Sequence, residues 1–339
     1  MTDATLPRIA LLLGDPTGIG PEIATRVLHD GRIVDVARLV VVGDARMLEQ
    51  GMQDAKVTLD YERVTADRLD QVSPSKVPLI DLGNMDPASV TRGRASAEAG
   101  RMTGDTLVQA LKLARQGLFD GVTFAPLNKR AMFDGGYKFA DEHQLFAHEL
   151  GHHGYFSEMN VLDGQWMSRV TGHQSLRQAL DHVTPERIAD AIQLADTMMR
   201  RAGIEKPRIA VAALNPHGGE NGLFGTEEID FIRPTVERVA ATGIDCRGPF
   251  PADTVYLKAF NGDYDSVVSM YHDQGQIATK LRGFNRGVTI TAGLSTVLTT
   301  PSHGTAYDIV GKGVATTGAL ESAIRLAAQL SVRQIRQAA

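Results

Sequence analysis

Short apolar runs alternate along this chain with longer stretches whose apolar positions recur at helical spacing. The run from Arg8 to Gly14 (RIALLLG) reads as a buried strand. The turn GDPTGIGP follows it, with Pro21 suited to the first position of a helix. Further strands are expected from Ala37 to Gly43, Val77 to Leu82 and Gly121 to Ala125, with an amphipathic helix from Arg94 to Gln116. Downstream the pattern predicts helices from Pro185 to Ala202, Thr226 to Ala241 and Gly318 to Gln337, and strands from Arg208 to Leu214, Ser266 to Met270 and Val288 to Ala292. Such alternation is the mark of βαβ units and a largely parallel sheet. No repeat, low-complexity linker or long charge run interrupts it, so the domains are expected to share strands or exchange segments across a cleft.

Length and composition narrow the class. A chain of 339 residues exceeds one ordinary core and implies two domains. A 43% hydrophobic share with 34 glycines fits a soluble α/β enzyme. The net charge is −5 with both signs interspersed, so nothing favours nucleic acid or an anionic membrane as partner. The opening residues carry no secretory pattern, and no apolar stretch approaches a membrane span. Cys246 is the single cysteine, which excludes internal disulfides and cysteine-based zinc ribbons. A reduced, cytoplasmic setting is expected.

Three histidines in polar or Gly/Pro-rich turns carry the clearest chemical signal: His173 in TGHQ, His217 in NPHGGE and His272 in YHDQG. Each follows a β-like run, where loops present side chains to a cleft. Neutral imidazoles are common ligands for divalent metals and leave positions open for a substrate. Asp253 in GPFPADT, Asp273 beside His272, and Lys280 could take part in proton transfer or meet a substrate carboxylate. The segment HELGH at His148–His152 spells a zinc-hydrolase motif. That chemistry needs both histidines on one continuing helical face, and Gly151 is expected to end the helix and throw His152 off it. The GDPTGIGPE turn lacks the third glycine of a dinucleotide fingerprint. It reads either as a strand-to-helix turn needing small residues or as backbone N–H groups and Asp15 presented to the cleft. The loop from His303 through Gly304 and Thr305 to Asp308 has the small residues and the acid that suit a nucleotide and its ribose.

Together these stretches resemble the 4-hydroxythreonine-4-phosphate dehydrogenase (PdxA-type) family over nearly the full length. The matching segments are GDPTGIGPEI, APLNK, TGHQSLRQAL, NPHGGENGLFGTEE, GPFPADT, YHDQGQIATKL and HGTAYDIVGKG. The resemblance implies an isopropylmalate-dehydrogenase-like fold, two α/β/α domains around a cleft. Their expected extents are residues 1–130 with 290–339 on the nucleotide side, and 131–289 for metal, substrate and dimer contacts. It implies a homodimer with shared active sites, and a divalent metal (Zn, Co, Mn, Ni or Mg) held by His173, His217 and, from the neighbouring chain, His272. It places the family's aspartates on Asp253 and Asp273, its substrate lysine on Lys280, and NAD on His303, Gly304, Thr305 and Asp308. A carboxylate at Asp308 disfavours the extra phosphate of NADP. The implied reaction oxidises a secondary alcohol to a β-keto acid that loses CO₂.

The resemblance breaks in the substrate shell. Glu142 and His143 replace the family's His-Thr pair, Thr289 its asparagine and Leu298 its arginine. Losing an arginine and gaining carboxylates weakens complementarity to a phosphate. The expected substrate is therefore a β-hydroxy or diol carboxylate related to 4-hydroxythreonine-4-phosphate, such as a cis-dihydrodiol carboxylate. The alternatives are the pyridoxal phosphate (vitamin B6) step itself, a sugar-acid phosphate, a zinc hydrolase using HELGH, or a binding protein without catalysis.

Overall fold

The apolar runs are buried along almost their whole length, with Ile9–Leu12 no more than 1% exposed, as a sheet covered on both faces requires. A computed structural model of the chain describes residues 6–283 and 286–338. It divides into one unit reaching to His153 and resuming at Leu294, and a second unit, Gly154–Gly293.

The first unit opens with β1 (Arg8–Leu12), α1 (Gly20–Asp30), β2 (Arg38–Gly43), α2 (Ala45–Ala55), β3 (Tyr61–Arg63), β4 (Val77–Asp81), α3 (Ala97–Arg115), β5 (Gly121–Phe124), α4 (Lys129–Asp134) and α5 (Glu142–Glu149). The second unit holds β6 (Ser157–Leu162), β7 (Gln165–Arg169), α6 (Leu176–Asp181), α7 (Pro185–Arg201), β8 (Ile209–Ala212), α8 (Arg233–Ala240), β9 (Cys246–Phe250), α9 (Ala252–Phe260), β10 (Ser266–Ser269), α10 (His272–Gly283) and β11 (Val288–Ala292). The chain then returns to the first unit as β12 (Val297–Pro301) and α11 (Gly318–Ala338).

In the first unit the strand order is β3-β4-β2-β1-β5-β12, parallel throughout. In the second it is β11-β6-β7-β10-β8-β9, and there β6 runs antiparallel to both its neighbours, β11 and β7, while β7, β10, β8 and β9 pair in parallel. The expectation of a largely parallel sheet thus holds for the first unit, while the second is mixed. The cause is a two-residue hairpin: Asp163 and Gly164 have φ of 50° and 83°, and Leu162 pairs with Gln165. Positive φ at both turn positions matches the strand twist and folds β7 straight back on β6. The expected domain border at residue 130 also moves, because α4 and α5 pack on α3 of the first unit.

Helix ends follow their caps. Ser96 accepts from Ala99 N–H at α3, and Thr184 with Pro185 opens α7. Asp44 caps α2 and does more. Only 1% exposed, it accepts from the backbone N–H of Arg46 at 2.9 Å and of Met85 at 2.7 Å, and pairs with the Arg46 guanidinium at 2.7 Å. Burial alone would raise its pKa, but the Arg46 side chain and the two N–H groups outweigh burial and lower it. A depressed folded pKa means this stabilisation is complete at neutral pH and is lost as pH falls through that value. Asp44→Ala is expected to cost about 3 kcal/mol at pH 7 and clearly less in acid, measured by urea unfolding.

Candidate metal and substrate site

β7 and β10 are parallel neighbours, with Trp166 opposite Ser266 and Arg169 opposite Ser269. Their ends are stitched further by Val170 N–H to the Ser269 carbonyl at 2.9 Å and the Thr171 hydroxyl to the Met270 carbonyl at 2.8 Å. The loops after both strands therefore leave the same sheet edge, the carboxyl end where α/β sheets present ligand-binding groups. One loop carries His173. The other starts α10 with His272, and Gln274 fixes that first turn by accepting from Met270 N–H and donating to the Ala213 carbonyl. The two imidazoles lie with ring centroids 5.1 Å apart.

Carboxylates attend both rings. His272 Nδ1 lies 2.7 Å from Asp273 Oδ1, and His173 Nε2 lies 3.7 Å from Glu158 Oε2. Burial, chiefly, lowers the pKa of His272, and the charges of Arg169 and His173 act the same way against Asp273 and Glu158. The neutral, lone-pair-bearing form of His272 is thereby favoured, which is the form a metal takes. Asp273 in turn is held below the usual carboxylate range, first by its hydrogen bond to His272. Beneath the rings lies a polar group that sequence reasoning missed. Arg169 is 3% exposed, bonds Asn160 Oδ1, and lies 3.5 Å from Glu158 and 3.4 Å from Gln276. Asn160 also donates to Thr289 Oγ1 at 3.0 Å. Thr289, expected to bind substrate, is therefore tied into this buried network. A charge at the end of a strand reads from sequence as solvated, and nothing local marked Arg169.

His217 sits on an exposed loop after β8. Its φ is 53°, and Gly218, Gly219, Glu220 and Asn221 are also left-handed. Left-handed non-glycine residues cost roughly 1 kcal/mol or more each and cluster at functional sites. The buried carboxylate of Glu228 holds the base of the loop, taking the N–H groups of Leu214 and Asn215 at 2.8 Å each. His217 approaches the Phe224 ring at 6.3 Å. Among the described residues, no three His, Cys, Asp or Glu side chains of one chain gather closely enough to hold an ion. His272, expected from the neighbouring chain, already adjoins His173 within the same chain. Asp253 is exposed in the first turn of α9, and Lys280 is exposed on α10, where its charge reaches Asp273.

The remaining candidates fall in the first unit. Glu142 is buried at the start of α5, with Lys129 Nζ 3.0 Å from its Oε2 and His143 Nε2 3.8 Å from its Oε1. Leu298 is 1% exposed in β12, opposite Val122 of β5. Two loops meet at the carboxyl ends of β1 and β12. Ile19 N–H bonds the Thr305 carbonyl at 3.1 Å, and Tyr307 donates to Asp15 at 2.8 Å. Asp15, 1% exposed and also bonded by Thr17, locks this junction instead of facing solvent. The glycines of the first turn have packing reasons: Gly14 has φ of 75°, and a Cβ at Gly18 would come within 2.9 Å of Thr305. At Gly304 a Cβ would meet nothing within 4 Å, and Asp308 is exposed in a single helical turn beyond it. That open backbone beside an acid suits a nucleotide. The HELGH segment does not form a two-histidine face. α5 ends at Glu149, Gly151 turns left-handed at φ 63°, and His148 packs on Phe139 at 5.4 Å. The hydrolase reading has no support.

Residues 35–327 match the family described as pyridoxal phosphate biosynthetic protein PdxA. The chain belongs to this family. A Rhizobium meliloti protein provisionally named 4-hydroxythreonine-4-phosphate dehydrogenase 2 is 44% identical over 97% of this chain and 94% of its own length. The D-threonate 4-phosphate dehydrogenase of Pectobacterium atrosepticum is 40% identical over 95% of this chain and 99% of its own. Among solved structures, the 4-hydroxythreonine-4-phosphate dehydrogenase of Klebsiella pneumoniae superposes with a TM-score of 0.83, at 38% identity over 96% of this chain and 98% of that one. This PdxA-family protein is thus a mixed α/β oxidoreductase acting on a CH–OH group, an oxidatively decarboxylating dehydrogenase. Among its described residues no helix is long and apolar enough to cross a membrane.

Proposed function

We propose that the protein uses NAD and a divalent metal to oxidise a β-hydroxy carboxylate related to, but other than, 4-hydroxythreonine-4-phosphate. The observation that carries the metal is the His173–His272 pair, two imidazoles 5.1 Å apart with one nitrogen of each facing a carboxylate. His173 and His272 would hold the ion, with His217 as the third imidazole of the set. A divalent cation there supplies Lewis acidity, which acidifies an alcohol and steadies the negative charge that develops as CO₂ leaves. Lys280 in the last turn of α10 and Asp273 in its first, both exposed, are suited to a substrate carboxylate and a proton respectively. The loop His303, Gly304, Thr305 and Asp308 would take the cofactor, and the Asp308 carboxylate would repel a 2′-phosphate, favouring NAD.

The three-ligand count supports a shared site in a homodimer, since one chain gathers only two of the imidazoles. Large apolar side chains flank these histidines in solvent: Leu176 after His173, Leu223 after His217, and Ile277 and Leu281 after His272, from 57% to 84% exposed. Covering such side chains against a second copy would remove them from water. The lone cysteine, buried with its thiol pushed up to about 11 chiefly by burial, is compatible with a reduced cytoplasmic setting.

The departure from 4-hydroxythreonine-4-phosphate rests on Glu142 and Leu298. Glu142 neutralises Lys129, and Leu298 is apolar and buried in its strand, so neither position offers a phosphate a net positive partner. A cis-dihydrodiol carboxylate fits this shell. A second reading, a four-carbon sugar-acid phosphate, is favoured by the 40% identity to a D-threonate 4-phosphate dehydrogenase. NADH formation with 4-hydroxythreonine-4-phosphate, D-threonate 4-phosphate and a cis-dihydrodiol carboxylate, with and without chelator, tests these readings. Turnover of 4-hydroxythreonine-4-phosphate at about 1–10³ s⁻¹, the range of dedicated enzymes, would overturn the proposed substrate. Turnover indifferent to chelator would overturn the metal.

A further inference from the structure

We propose that the amino ends of β1, β2 and β4 form a binding site for a short aliphatic carboxylate, whose charge is met by Arg8 and Arg38. A cleft of about 300 Å³ lies there, at the small end of the range for sites that take organic ligands. Arg8, Arg38 and Val77 line it and are the first residues of β1, β2 and β4. These are the opposite strand ends from those that carry the loops of Asp15 and Thr305. The buried side chains of Val27, Ile33 and Leu69 line the cleft, as does Val34, which is 71% exposed. Among the described residues no aromatic side chain lines it. An aliphatic body therefore suits it better than a ring, which gains most from an aromatic partner.

The charge of the site follows from strand register. Arg8 and Arg38 are partners in the parallel pairing of β1 with β2, so both side chains leave the sheet on one face. Like charges at paired positions repel unless an anion joins them. Here the anion is Asp70: Arg8 Nη2 bonds its Oδ1, and Arg38 Nη2 lies 3.4 Å from the same oxygen. The arginine side chains are 21% and 36% exposed, whereas that of Asp70 is 73% exposed. The cations thus belong to the wall of the cleft, and the carboxylate reaches them from the solvent side, as a ligand carboxylate would. One negative charge serves two positive ones, which leaves a net attraction for an anion. Lys76, also lining the cleft, pairs with Glu62 at 3.7 Å. An ion pair as open to water as that of Asp70 is weak. Exchanging it for a carboxylate that also buries an aliphatic chain keeps the charge pairing and removes apolar surface from water.

The test is isothermal titration of the full chain with octanoate, with octanol as the uncharged control. Octanoate is expected to bind at one site per chain and octanol about 10-fold more weakly or less still, since a charge-assisted hydrogen bond is lost. Arg8→Met with Arg38→Met should weaken octanoate binding by about 10-fold or more while leaving octanol where it was. Asp70→Asn removes the competing carboxylate and should tighten octanoate binding by about two- to fivefold, the scale of an exposed ion pair. Thermal melts accompany each titration. Should the double arginine variant fail to fold, Asp70→Asn decides, because it changes an exposed side chain that packs nothing. Absence of octanoate binding, equal affinity for octanol, or an Asp70→Asn variant that binds octanoate no better than the parent each overturns the inference. So does a folded double arginine variant of unchanged octanoate affinity.

Discussion

His272→Ala is expected to lower turnover by at least about 10²–10³-fold while leaving the protein folded, the scale seen when a preorganised electrostatic group is removed from a reacting centre. The ring is about one quarter exposed and packs no core, so the melting temperature should move by only a few degrees. Its pKa is held below the ordinary histidine value chiefly by burial, so the neutral form persists further into acid than a surface histidine would allow. Activity should therefore fall off at a lower pH than an unshifted histidine ligand would give, since a ligating imidazole must be neutral. The matching control is His148→Ala, whose ring lies against Phe139 at the end of α5. Full activity in His272→Ala, or its loss in His148→Ala, measured as NADH formation, would transfer the chemistry to the other histidine cluster.

Ile277→Glu with Leu281→Glu is the second substitution of large expected effect. The two residues sit one helical turn apart on α10, 60% and 84% exposed, on the helix that begins with His272. Two carboxylates on that stripe should prevent a second copy from docking, since burying unpaired charges costs several kcal/mol. The variant is expected to run as a monomer in light scattering and to lose about 10²-fold or more of its activity, although no histidine has changed. Because both positions are solvent-exposed in the single chain, its stability should fall little. A monomer of undiminished activity would show that one chain completes its own site.

Much of the fold was legible in order and type. β1, β2, β4, β5, β10 and β11 and helices α3, α7 and α11 lie within a few residues of the spans predicted from periodicity. The failures have identifiable causes. The β6–β7 hairpin carries a local signal, Asp163-Gly164 between alternating residues. β12 is short, threonine-rich and ends in proline, so its pattern is weak, and only its place beside β5 makes it a strand. What the resemblance could not show is the setting of its substrate positions: Leu298 lies in the sheet interior, and Thr289 takes part in a hydrogen-bonded network. Of the two readings open for the first turn, the structure takes the structural one: Asp15 is bonded by Thr17 and by Tyr307 from the far end of the chain.

The sequence by itself determined the alternation of strands and helices, the family, and which histidines stand in loops after strands, because those properties depend on residues close along the chain. Only the tertiary structure decided that His173 and His272 are neighbours and that Glu158 and Arg169 lie near them. Those facts depend on the parallel pairing of β7 with β10, residues far apart in sequence, and on how deeply a charge is buried. Strand register and burial are set by the competition of all segments for one core, and no local pattern encodes them.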